Sequence, residues 1–303
     1  MKLKDVGEIG LIKGFARTMR LDGSVVKGSG DDAAVIKWTR SKYLLLTCDM
    51  VVEDVHFKLR DALPFDIGWK AMARNISDIA AMGGLPRYAL VSVAIDPGKS
   101  VSFARELVKG MNAAASRFNV NIVGGDMSRS KSLMIDISLA GEVEKRNVVL
   151  RSGAKPGDLI LVTGSIGGSG KGRHLNFIPR VSEAREIVKR FKVNSMIDIS
   201  DGLVMDLWRI LDASKAGATL YQNAIPLSKD AGSFKKAISE GEDFELLFTM
   251  KISEAKRFFK TYLGKMKTPV TLIGEITEKK NGYKLVNGQG KEEKLGPRGY
   301  AHF

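Results

Sequence analysis

Apolar positions along the chain fall alternately into short runs and helical stripes. Residues 4–20 carry Val6, Ile9, Leu11, Ile12, Phe15 and Met19 near a 3.6-residue period, which predicts a helix. Two short apolar runs, Ala33–Lys37 and Tyr43–Thr47, predict strands, the second ending in Thr47-Cys48-Asp49. Pro64-Phe65-Asp66 is a helix start, and Trp69, Met72, Ile76 and Ile79 repeat at helical spacing behind it. Met82-Gly83-Gly84-Leu85-Pro86 supplies the stop, glycine as cap and proline beyond it. A strand at Tyr88–Ile95, a helix at Val101–Phe118, a strand at Val120–Val123 running into Gly124-Gly125-Asp126, and a longer strand at Leu133–Val143 follow. The polar, glycine- and proline-bearing stretch Glu144–Asp158 predicts a boundary between domains 1–146 and 147–303. Beyond it the same reading gives strands at Leu159–Thr163, Leu246–Met250 and Val270–Ile276. It gives helices at Val181–Phe191, through Leu203, Leu207 and Leu211, and at Ser253–Leu263. Strands alternating with helices predict an α/β (α+β) protein.

Composition narrows the class. The chain has 303 residues, 44% of them apolar, with 7% aromatic and 32 glycines, a balance suited to an α/β enzyme with many tight turns. No basic-then-apolar leader and no membrane-length apolar run is expected. The single cysteine, Cys48, excludes an intramolecular disulfide and fits the reducing cytoplasm. The formal charge of +14 fits a nucleic-acid partner, a polyanionic small substrate or a lysine-rich surface without specific role. Its basic residues are spread along the chain, several at the spacing of a solvated helix face, and no nucleic-acid-binding motif accompanies them, so no specific nucleic acid is expected.

The chemistry lies in the acidic residues. Gly28-Ser29-Gly30-Asp31-Asp32 puts flexible glycines before paired carboxylates, as a plain turn or a metal site would. Asp49, Asp54, Asp78, Asp126, Asp198, Asp201, Glu242 and Asp243 repeat the pattern of an acid near a strand or loop end. Each alone reads as a turn, a cap or an exposed side chain. Together, in a basic chain with three histidines, they point to oxygen-ligated Mg²⁺ rather than Zn²⁺ and leave little for a Ser-His-Asp triad. Gly164-Ser165-Ile166-Gly167-Gly168-Ser169-Gly170-Lys171-Gly172 misses the Walker spacing and is expected to form a strand-to-helix turn. An acidic multi-Mg²⁺ site without a P-loop points to a less common type of ATP chemistry.

The motifs carry a resemblance. Gly30-Asp31-Asp32-Ala33-Ala34, Thr47-Cys48-Asp49, His56-Phe57, Asn75-Ile76-Ser77-Asp78-Ile79-Ala80-Ala81-Met82-Gly83, Gly124-Gly125-Asp126, Arg151-Ser152-Gly153-Ala154-Lys155-Pro156-Gly157-Asp158, Asp198-Ile199-Ser200-Asp201-Gly202-Leu203 and Gly241-Glu242-Asp243-Phe244-Glu245-Leu246 together resemble the thiamine-monophosphate kinase family. That family belongs to the wider aminoimidazole ribonucleotide synthetase-like superfamily, and the match spans nearly the whole chain. The resemblance implies an N-terminal domain with a mixed sheet that binds ATP and Mg²⁺ and forms a homodimer, followed by a C-terminal α/β domain. It implies direct in-line transfer from ATP to thiamine monophosphate, giving thiamine diphosphate. Carried over by position, Asp32, Thr47, Cys48, Asp49, Asp78, Asp126, Asp198 and Asp201 would bind several Mg²⁺ ions. Gly125, Asp126, Arg151 and Ser200 would contact ATP, and His56, Glu242 and Tyr300 the thiamine monophosphate. Two positions depart from the family. Pro297 stands where an aromatic residue is usual, which leaves ring stacking to Tyr300 or removes it. Cys48 replaces a hydroxyl residue, so ligation there would use its backbone carbonyl.

The acceptor would be a phosphate oxygen, already anionic, so no catalytic general base is expected. Two other readings stay open. One is another ATP-dependent enzyme of the same superfamily, similar to aminoimidazole ribonucleotide synthetase. A reactive cysteine in a glycine-rich N-terminus, as in selenophosphate synthetase, is absent, and the chain ends in His302-Phe303 rather than the maturation protein's cysteine. The second is a basic nucleic-acid-binding protein without turnover.

Overall fold

The structure, a computed structural model, describes residues 2–262 and 265–300. The first half contains α1 (Leu3–Ala16), β1 (Val25–Lys27), β2 (Ala34–Lys37), β3 (Lys42–Val52), α2 (Pro64–Ala81), β4 (Leu85–Ile95), α3 (Val101–Arg117), β5 (Asn121–Arg129) and β6 (Met134–Glu144). Its strands form one sheet in the order β1-β2-β3-β6-β4-β5, antiparallel except where β4 meets β5. The second half contains β7 (Asp158–Thr163), α4 (Arg173–Asn176), α5 (Val181–Arg190), β8 (Ser195–Asp198), α6 (Leu203–Ser214), β9 (Ala216–Tyr221), α7 (Phe234–Ser239), β10 (Leu246–Lys251), α8 (Ile252–Tyr262), β11 (Val270–Glu278), β12 (Tyr283–Val286) and β13 (Glu292–Lys294). Its sheet runs β13-β12-β9-β11-β7-β10-β8. Both halves combine a mixed sheet with helices, as the alternating pattern predicts.

Three expected boundaries are corrected. Thr47-Cys48-Asp49 does not end a strand: β3 pairs with β6 as far as Val52 opposite Met134. Gly124-Gly125-Asp126 likewise lies within β5, which pairs with β4 as far as Arg129. Polar residues continue in both strands because alternate positions face opposite sides of the sheet. The first helix ends at Ala16 rather than near residue 20, is interrupted at Gly7 (φ 70°) and buries none of its side chains. Leu263, the expected end of α8, lies outside the described residues, as do His302 and Phe303.

Helix α2 organises the molecule. Leu63 is extended before Pro64 at the helix start, and Gly83 (φ 72°) follows the last turn, a conformation that glycine adopts without strain. Twelve of its residues are buried, too many for a helix with only one covered face. One side packs on the six-stranded sheet and α3, while another meets α4, α5 and β8 of the second half. The core is accordingly continuous across the halves, from Val35, Leu45, Ile79 and Ile137 to Val188, Phe248 and Phe258. A second cluster, including Ile160, Leu207, Leu220 and Ile273, fills the seven-stranded sheet against α6.

The α2–α3 crossing depends on two glycines. A Cβ on Gly68 would lie 2.0 Å from the Leu107 carbonyl oxygen, and one on Gly110 would lie 1.8 Å from that of Phe65. Backbone stands on the far side of each contact, so a methyl forces the helices apart. Gly68→Ala is expected to lower stability by about 2–3 kcal/mol. Urea unfolding would read this as a lower midpoint at unchanged slope; an unchanged midpoint would show that the crossing yields freely.

The other face of the six-stranded sheet is open. Leu46 and Met50 of β3 and Tyr88 and Leu90 of β4 lie on it and are exposed.

Candidate active site

The opening Gly-Asp-Asp stretch, α2 and β8 converge. Gly30 (φ 102°) turns the chain so that Asp32 enters the interior. Asp78 comes from the last turn of α2, and Asp198 is the final residue of β8. One carboxylate oxygen from each of these three side chains lies within 4.8 Å of the others. Local donors fix each group. Ser77 Oγ donates to Asp198 Oδ2 at 2.5 Å, and Thr47 Oγ1 donates to Asp78 Oδ2. Arg151 Nη2 donates to Asp32 Oδ1 at 2.6 Å. Asp32 Oδ2 remains buried without a hydrogen-bond partner.

Burial and mutual repulsion disfavour charge here. Burial first, then Asp32, raises Asp198 to about 8. Burial, with Asp49, Asp198 and Asp32, raises Asp78 well above the carboxylate range. A hard dication would reverse both effects and take up the orphaned oxygen. All-oxygen donors without Cys or His fit Mg²⁺ rather than Zn²⁺.

The surrounding groups position this cluster. Asp49 faces the cluster side of β3, its carboxylate receives Arg74 Nε at 3.1 Å, and its backbone N–H donates to Asn75 Oδ1. Asp31 accepts the backbone N–H of Arg151, so it ties the glycine turn to the second half. Asp201 is paired with Arg209, while buried Asp206 accepts the backbone N–H groups of Asp201 and Gly202. A cavity of about 530 Å³ opens over these groups, with Lys13, Lys27, Arg74, Arg151 and Arg209 around its acidic floor. Such an arrangement suits a polyanion carrying a metal: cations on the rim, carboxylates beneath.

A second cavity of about 420 Å³ adjoins the first and is lined by His56, Arg74, Ser200, Asp201, Glu242 and Tyr300. Arg74, Ser200 and Asp201 line both. Glu242, at φ 65°, donates its backbone N–H to the Ser200 carbonyl, and the Tyr300 N–H bonds the Asp201 carbonyl. Beneath Glu242 lies fully buried Lys70, its Nζ 2.5 Å from Glu242 Oε1, 2.6 Å from the His56 carbonyl oxygen and 2.7 Å from His174 Nδ1. Burial lowers Lys70 to about 8. Burial works against the charge on Glu242 too, but His174 and Lys70 outweigh it and bring Glu242 down to about 2. Both partners are therefore charged at neutral pH.

Asp32, Thr47, Asp49, Asp78, Asp198, Asp201, Arg151 and Ser200 thus surround one cavity, and His56, Glu242 and Tyr300 meet at its neighbour. Cys48 presents only its backbone to this side, because its Sγ points to the open sheet face, 3.3 Å from Asp136 Oδ1. Gly125 and Asp126 are not brought to the cluster. Asp126 is exposed on β5 at the sheet edge, in register with Ser92, Asp136 and Met50 on the open face. Gly125 has its own structural demand, since a Cβ there would meet the Val91 carbonyl oxygen at 1.8 Å. Lys70, Arg74, His174 and Arg209 are site residues that the sequence reading passed over. The four-residue step from Lys70 through Arg74 to Asp78 on a strongly apolar helix is the signal that could have found two of them.

Known proteins are similar to this chain in sequence and fold. Residues 30–143 match the family described as AIR synthase related protein, N-terminal domain, and residues 155–286 match its C-terminal domain. The thiamine-monophosphate kinase of Rhodopirellula baltica is 39% identical, with 94% of each chain covered. That of Bacillus subtilis is 35% identical over 92% of this chain and 94% of its own. The solved structure of AaThiL complexed with AMPPCP and TMP is 32% identical, covers 100% of this chain and 99% of its own, and superposes with a TM-score of 0.85. With that degree of identity over its whole length and with both domain families matched, the chain belongs to the thiamine-monophosphate kinase family.

Proposed function

We propose that this chain transfers the γ-phosphoryl group of ATP to the phosphate of thiamine monophosphate, forming thiamine diphosphate and ADP. The observation that carries this reading is the pair of cavities meeting at Arg74, Ser200 and Asp201, one floored by buried carboxylates and the other ending at Glu242 and Tyr300. The family relationship names the two ligands, because AaThiL was solved with AMPPCP and TMP.

The first cavity receives the nucleotide phosphates. Asp32, Asp78 and Asp198 would hold Mg²⁺, with Asp49 and Asp201 beside them and the carbonyl of Cys48 on the same side. Bound Mg²⁺ would neutralise the phosphates of donor and acceptor. Arg151 orients Asp32, and Arg209 orients Asp201. In the second cavity Glu242, ionised at neutral pH, faces the cationic thiamine ring system, with His56 and Tyr300 beside it. The attacking acceptor oxygen is already anionic, so the residues position and neutralise rather than remove a proton. Transfer is direct, without a phosphoenzyme.

Residues 1–146 and 147–303 act as two domains that close one site between them. The open sheet face is the surface through which two copies pair, and Leu46, Met50, Tyr88 and Leu90 are the apolar anchors that support this. Asp126, on that face, and its neighbour Gly125 then serve a site next to the interface rather than the cluster of their own chain. Among the described residues no helix is long and apolar enough to cross a membrane.

The test is direct. Protein, MgATP and thiamine monophosphate are mixed, and thiamine diphosphate is followed by ³¹P NMR. Appearance of its two phosphorus signals with ADP is expected. Turnover with a different acceptor, and none with thiamine monophosphate, would replace this assignment by another activity of the superfamily.

A further inference from the structure

Lys70, Arg74 and Asp78 lie one turn apart along one side of α2. Lys70 supports Glu242, and Asp78 belongs to the carboxylate cluster. Arg74 stands between them and lines both cavities. Its side chain is 13% exposed and touches Asp49 through Nε alone. Nη1 is buried and has no hydrogen-bond partner.

A guanidinium holds five N–H donors and keeps its charge. Balancing Asp49 takes one of them. Leaving another buried and unmatched is unfavourable, so a structural role limited to Asp49 does not account for the geometry. The charged groups facing Arg74 are Asp49, Glu242, Asp78 and Lys70. They come from β3, from the loop before β10 and from α2 itself, and they place the guanidinium where the two cavities join. In a transfer between two phosphates, that junction is where the acceptor phosphate meets the donor's terminal phosphorus. Planar N–H pairs match phosphate oxygens, and arginine binds them with directional, charge-assisted bonds.

We propose that Arg74 is a catalytic residue that grips the acceptor's phosphate, and that it makes this site select a phosphorylated acceptor over the free alcohol. The inference rests on the kinase reading above. In the step it serves, an acceptor phosphate oxygen forms a bond to the γ-phosphorus of ATP. The bond from that phosphorus to the β,γ-bridging oxygen breaks, and ADP leaves with the electron pair. Arg74 keeps its protons throughout. It offsets the acceptor's charge and fixes the direction of the attacking oxygen.

The experiment uses the full chain with MgCl₂, and isothermal titration with thiamine monophosphate and, separately, with thiamine. Arg74→Gln is expected to weaken thiamine monophosphate binding by about 10–100-fold, the range of a lost charge-assisted contact, with thiamine binding unchanged. Arg74→Lys keeps the charge without the planar fork and is expected to fall between wild type and Arg74→Gln. It also carries the test should Arg74→Gln fail to fold. Steady-state rates should show a higher KM for thiamine monophosphate together with a lower kcat. Thiamine monophosphate binding that survives both substitutions, or equal losses for thiamine and its phosphate, would overturn the proposal. A wild type that converts no thiamine monophosphate would instead overturn the functional reading on which it rests.

Discussion

Asp198→Asn is expected to lower turnover by at least about a hundredfold while leaving the metal-free protein as stable as wild type or more so. The two effects share one cause. Asp198 is 1% exposed, is raised to about 8 by burial and then by Asp32, and has an oxygen within 4.8 Å of oxygens of Asp32 and Asp78. Without a cation, its charge is a burden that asparagine removes at almost constant shape. Asparagine can still accept the hydrogen bond from Ser77 Oγ. With the cation, that charge is what binds it. Turnover under saturating MgATP and thermal unfolding in EDTA would measure the two sides. Near-normal turnover would remove Asp198 from the metal site. A large loss of stability in EDTA would mean that its role is structural.

The second large effect concerns pH and Mg²⁺. The folded-state pKa of Asp198, about 8, lies above its ordinary value of 3.8, and that of Asp78 is also raised. Between about pH 4 and 8 the folded chain therefore binds protons that the unfolded chain has released. By linkage the metal-free protein loses stability as pH rises through that window. Mg²⁺ competes for the same carboxylate oxygens, so its binding strengthens over the same interval. At a concentration near 100 times its dissociation constant, stabilisation is about 2.7 kcal/mol, a rise in Tm of roughly 4 °C for a chain of this length. The rise should be larger at pH 8 than at pH 5. Glu242 does not confuse the comparison: its pKa is lowered to about 2, so its contribution is present above its unfolded value of 4.5 and is lost only below it. Equal rises at the two pH values would show that no raised carboxylate takes part in Mg²⁺ binding.

Legibility of the fold followed the strength of local signals. Helix α2 was readable because proline, a strong apolar stripe and paired glycines bracket it. The α2–α3 crossing was not readable, since nothing in the sequence says which carbonyl Gly68 will face. Strands β12 and β13 went unread because they are short and pair at or near the sheet edge, and β9 because its first half, Ala216-Gly217-Ala218, carries no bulky apolar side chain. Strands β3 and β5 were cut short for a shared reason: an acid after an apolar run looks like a strand end. Asp49 remains inside its strand because Arg74 offsets its charge, and Asp126 because it faces outward at an edge. In the site, the carboxylates were visible as glycine-flanked acids. Their supporting cations were not. Lys70 and Arg74 look in sequence like the solvated positions of an amphipathic helix, and only the second half of the chain, packed over α2, makes them interior.

That covered helix also works as a ruler. Successive residues rise 1.5 Å along an α-helix, so each four-residue step from Lys70 to Arg74 to Asp78 measures about 6 Å. The interval from the support of Glu242 to the carboxylate floor is thus written in peptide geometry, which hardly stretches. Loops at either cavity can change length without altering it. One residue inserted between Lys70 and Asp78 would turn everything beyond it by about 100° and leave the two ends of the reaction path out of phase.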